Sequence, residues 1–82
     1  MFPQDPNNVT HDGIMAARIG NRDQALVLLL QAAALEPRNE QVWLWLARLM
    51  DTDAQRIECL RRVVEINPGN QAAREDLERL TG

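Results

Sequence analysis

His11 and Asp12 are adjacent, and Cys59 is the single thiol of this 82-residue chain; catalysis, if there were any, would have to start from these side chains. A histidine base with an orienting carboxylate needs a nucleophile within hydrogen-bond reach. The sequence has no serine, no second histidine and no second cysteine, and neighbours in a helix point apart. Metal coordination meets the same shortage, because structural and catalytic sites draw on several His or Cys side chains. The expectation is a protein that is not an enzyme, with no catalytic residue, metal or cofactor. In it His11 is an exposed turn residue and Cys59, set between apolar neighbours, is a small packing residue. Arg56, Arg61 and Arg62 gather in one segment, but Glu58 precedes Arg62 by four residues and Glu65 follows Arg61 by four. That spacing predicts a solvated face paired with itself rather than an anion site.

The stronger signal is apolar. Across Val42-Trp43-Leu44-Trp45-Leu46-Ala47-Arg48-Leu49-Met50 only Arg48 is polar, whereas a surface helix needs one apolar stripe. Trp43, Leu46, Ala47 and Met50 supply that stripe at helical spacing, which leaves Leu44, Trp45 and Leu49 in surplus. Either this helix is clasped on several sides and buries nearly everything, or Leu44 and Trp45 line a groove beside Ile14, Arg18, Arg48, Glu75 and Arg79. Contacts with a second copy of the chain satisfy either account. Tryptophan and arginine dominate binding hot spots, which favours the groove.

Five helices must position these residues. Residues 1–8, with two prolines and no apolar periodicity, read as an extended lead-in. A first helix runs from Val9 to Ile19 and stops at Gly20-Asn21. Asn21 with Gln24 opens a second that lasts until Pro37, and Asn39 caps a third through about Met50. Thr52 with Gln55 opens a fourth, whose stripe is Ile57, Leu60, Val63, Val64 and Ile66, and Pro68-Gly69 ends it. Asn70 starts a closing helix with Ala73, Leu77 and Leu80 on one face and Arg74, Glu75, Asp76, Glu78 and Arg79 for solvent. No segment alternates like a strand.

Compared with itself at an offset of 31, the chain places Pro37 on Pro68, Asn39 on Asn70, Leu46 on Leu77 and Leu49 on Leu80, while Leu26, Leu29, Ala32 and Leu35 meet Ile57, Leu60, Val63 and Ile66. Short helix pairs that end in Pro-x-Asn resemble the tetratricopeptide repeat, whose pattern is W-x2-L-G-x2-Y, then A-x3-F, then P. In residues 9–38, Gly13, Ala16, Ala25, Leu29, Ala32 and Pro37 take the small, apolar and terminating places. In residues 39–69, Trp43-Leu44-Trp45-Leu46-Ala47 matches the opening, and Leu60, Val63 and Pro68 the close. Val9 and Asp12 depart from the opening, Arg56 stands where a small residue is usual, and the second unit is about three residues short around Asp51-Thr52-Asp53. The resemblance covers residues 9–80. It implies one all-α domain over 9–82, stacked antiparallel helical hairpins with a capping helix at 70–82, and a habit of binding proteins or peptides.

Composition sets the outer bounds. With 45% hydrophobic and 26% charged residues the chain should fold, and one this short buries roughly 60% of its unfolded surface. A net charge of −3 argues against a nucleic-acid partner. No apolar run approaches the roughly 18 residues of a membrane span, and the start lacks a basic segment followed by an apolar one. A lone thiol suits a reducing compartment, so the cytoplasm is expected. The reading is an adaptor that docks a peptide or a helix of another protein against the third helix. The alternative is a small structural subunit or self-assembling module whose apolar face is buried in a homo-oligomer or larger complex.

Overall fold

The computed structural model describes residues 6–82, with side chains from residue 8 onward. It is all-α. The helices are α1 (Pro6–Arg18), α2 (Arg22–Leu35), α3 (Glu40–Leu49), α4 (Asp53–Ile66) and α5 (Gln71–Thr81), and the described residues contain no strand. Of the expected lead-in, residues 1–5 lie outside the described residues, while residues 6–8 open α1. Proline is at ease at the first helical position, where its missing N–H has no partner to lose, so α1 starts three residues earlier than its apolar pattern.

Each of the other four helices begins at the side chain that capping chemistry selects. Asn21 accepts from the Gln24 amide, Asn39 from Gln41, Thr52 from Gln55 and Asn70 from Ala73. Gly20, at φ +85°, ends α1 in the left-handed region, with the Asn21 amide bonded to the Ala16 carbonyl and the Gly20 amide to Ala17.

Each helix packs on the next in the chain, and α1 also touches α3; the extents are 47 × 23 × 17 Å. The two shorter dimensions are about two and about one and a half helix diameters. One cluster forms the core. Leu29, Leu46, Val9, Val42 and Val63 are its largest fully buried side chains, and Ala16, Ala25, Ala32, Ala47 and Ala73 let the helices approach closely.

Two helix ends recur at the offset of 31. Glu36 and Asn67 leave α2 and α4 at nearly the same angles, φ/ψ −132/70° and −138/89°, and each donates its amide to the carbonyl four residues back. Each also ties its own hairpin shut at the opening turns of its first helix. The Thr10 hydroxyl donates to Glu36 at 2.8 Å, and Asn67 Nδ2 donates to Glu40 at 3.0 Å.

Two expectations are corrected. The buried stripe of α3 is Val42, Leu46 and Ala47, while Trp43 and Met50 are half-buried. An indole carries an N–H that needs an acceptor, so Trp43 sits at the edge and donates to the Pro37 carbonyl at 2.9 Å, and valine fills the narrow crossing instead. The three-residue deficit of the second unit is not in its turn. Residues 19–21 and 50–52 make turns of equal length; α1 exceeds α3, 13 residues against 10, by residues 6–8, which precede the first unit. No helix of the described residues is long and apolar enough to cross a membrane.

Candidate functional site

Between α3 and α5, with the N-terminal half of α4 as its floor, lies a groove of about 440 Å³. Leu44, Ala47 and Arg48 come from α3, Arg56 and Leu60 from α4, and Ala72, Ala73, Asp76, Arg79 and Leu80 from α5, with Asn70 at the end. Helical spacing explains the set: Leu44 and Arg48 are one turn apart, as are Ala72, Asp76 and Leu80. Asn70 is held by its cap to α5 and by a 3.0 Å bond from Nδ2 to the Glu40 carboxylate.

The groove is apolar at its base and charged at its rim. Asp76 pairs with Arg79, and Arg56 pairs with Asp53 at 3.0 Å while also donating to the Met50 carbonyl at 2.9 Å. Arg48 has no carboxylate partner among the described residues; its guanidinium lies 4.8 Å from the Trp45 ring centre. Arg18 approaches the same ring at 5.8 Å. Two cations on one half-buried indole lose little hydration and gain from its electron-rich surface.

No protein-family model, curated protein or solved structure matches the chain. The roles of its residues follow from geometry alone. Of the seven residues expected at the site, Leu44, Arg48 and Arg79 line the groove, Trp45 adjoins it through Arg48, and Arg18 reaches only the Trp45 ring. Ile14 is half-buried against the core on α1. Glu75 lies away from the groove in a polar hollow with Gln71, which donates to it at 3.1 Å. Arg56, Leu60, Asp76 and Leu80 belong to the groove but not to the expected set. Arg56 is the informative omission: it is half-buried, and its guanidinium needs the acceptors that it finds at Met50 and Asp53.

Elsewhere the expected ion pairs of α4 do not form. Arg61 and Arg62 are exposed without their Glu65 and Glu58 partners, and Arg62 instead lies 5.7 Å over the Trp43 ring. Cys59 is buried; desolvation, and then the negative charge of Glu58, push its thiol above the ordinary range. A thiol so placed is a poor nucleophile at neutral pH.

Proposed function

We propose that this chain is a non-enzymatic adaptor of tetratricopeptide-repeat type whose groove between α3 and α5 receives a peptide or a helix of another protein. The observation that carries the reading is the groove itself. It is about 440 Å³ in volume, walled by Leu44 and Leu80, and edged by an arginine, Arg48, with no carboxylate partner among the described residues. Such a surface suits an apolar side chain of the partner between Leu44 and Leu80 and a carboxylate toward Arg48. The recurring cap, turn and hairpin tie at an offset of 31 support the family reading. A cytoplasmic setting goes with it, supported by the single buried thiol.

The test is selection from a displayed peptide library against the full chain, with the double variant Leu44→Glu, Trp45→Lys as counter-target. Selected peptides should bind the parent and lose at least about tenfold against the variant, whose helical circular dichroism is retained. Peptides that bind both proteins equally, or a library that yields none, would sink the adaptor reading.

A further inference from the structure

The outer face of α2 has an internal control in α4. At an offset of 31, the positions of Val27, Leu30, Gln31 and Ala34 are those of Glu58, Arg61, Arg62 and Glu65, and all eight residues are exposed. One backbone face thus occurs twice in the molecule, once fully charged and once without a charge. Val27 and Leu30 are 65% and 56% exposed, and no charged residue occurs anywhere from Gln24 to Leu35. A helix that is apolar all round is a buried helix, so this face calls for a cover.

We infer that the cover is a second copy of the chain, α2 lying antiparallel on α2 about a two-fold axis beside Leu30. The charges that end the face select this occupant. Asp23 precedes it and Arg38 follows it; both are exposed, and neither pairs within the chain among the described residues. Arg38 lies in the turn just beyond α2; antiparallel packing centred between Leu30 and Gln31 brings the Asp23 end of each copy to the Arg38 end of the other and sets Val27 opposite the partner's Ala34. The same patch then serves both copies, as a two-fold interface requires. Val27, Leu30 and Ala34, at three- and four-residue spacing, form the seam. A single helix pair buries little area, so the dimer is weak and forms with rising concentration. The groove between α3 and α5 is a separate surface, and this inference stands without it.

Sedimentation equilibrium of the full chain, over a micromolar-to-millimolar dilution series, tests the idea. The mass should rise from 9.3 kDa toward twice that value as concentration increases. Giving α2 the α4 face, with Val27→Glu, Leu30→Arg, Gln31→Arg and Ala34→Glu together, should raise the dimer dissociation constant at least about tenfold. Asp23→Arg and Arg38→Asp should each weaken the dimer, and the two together should restore it. Loss of fold cannot imitate that restoration, so the charge exchange decides the matter even where the fourfold variant is unstable. A chain monomeric throughout the series, a dimer indifferent to the α2 face, or paired reversals that fail to rescue would each overturn the proposal. So would a dimer lost only when Leu44 and Trp45 are changed.

Discussion

Gly13 occupies a point in α1 where a methyl group has no room. A Cβ there would stand 2.9 Å from two carbons of Leu29 and 3.2 Å from Leu28 Cβ, and Leu29 is fully buried and cannot swing away. Helix propensity favours alanine by about 1 kcal/mol, and overpacking opposes it by about 1–3 kcal/mol. Gly13→Ala should therefore destabilise the fold by about 1 kcal/mol. In a domain of this size that lowers the melting temperature by about 4–8 °C, readable by circular dichroism. A rise in melting temperature would show that the helix crossing relaxes. The opposite constraint sets Trp43 and Val42. The larger residue is the better anchor on area alone, but its N–H must be satisfied, and the Pro37 carbonyl that satisfies it lies at the surface.

At the scale of elements, the two inter-helix turns solve one problem by different means. The last carbonyls of a helix have no partner in it. After α1, Gly20 turns left-handed, and the amides of Gly20 and Asn21 close back on the carbonyls of Ala17 and Ala16. After α3 the chain leaves through Met50 in extended geometry, φ/ψ −73/144°, and arginines from the flanking helices act instead. Arg22 sends Nε and Nη2 to the Leu49 carbonyl, at 3.2 and 2.6 Å, and Nη2 also to Asp51, while Arg56 takes the Met50 carbonyl. Both guanidiniums are partly solvated, so each should contribute only about 1 kcal/mol. Replacing both by lysine, which lacks the fork, should lower stability by at most about 2 kcal/mol and speed hydrogen exchange at the last turn of α3. Unchanged exchange at those amides would refute the double cap.

For the whole molecule, α5 is the element whose removal says most. It contributes buried Ala73 and half-buried Leu77 and Leu80 to the core, one wall of the groove, and Asn70 to the Glu40 cluster. Truncation after Asn67 should uncover the α4 face that meets it and leave a chain that aggregates or unfolds without cooperativity. A soluble truncate with a sharp melting transition would show that two hairpins suffice. The asymmetry of the molecule is informative too. Its C-terminal helix presents Arg74, Glu75 and Glu78 to solvent, whereas α2 presents Val27, Leu30 and Leu35.

Much of this was legible in the linear chain, because the interactions concerned are local. Asn21, Asn39, Thr52 and Asn70 start their helices and Gly20 and the prolines end others, each acting within a few residues of itself, and the turn after Leu35 returns 31 residues later after Ile66. The apolar face of α2 was equally present there, as a stretch without charge. What tertiary structure alone decided was which side of α3 turns inward, and where each arginine goes. Periodicity defines a stripe only to within about one residue, and with apolar side chains all round α3 every rotation satisfies it. The choice fell to the space left by α1, α2 and α4, which admits Val42 and sends Trp43 to the edge. Arginine placement is undetermined for a related reason. A long cation can pair with its own helix or cross to another, and only folding brings the Leu49 and Met50 carbonyls within reach of Arg22 and Arg56.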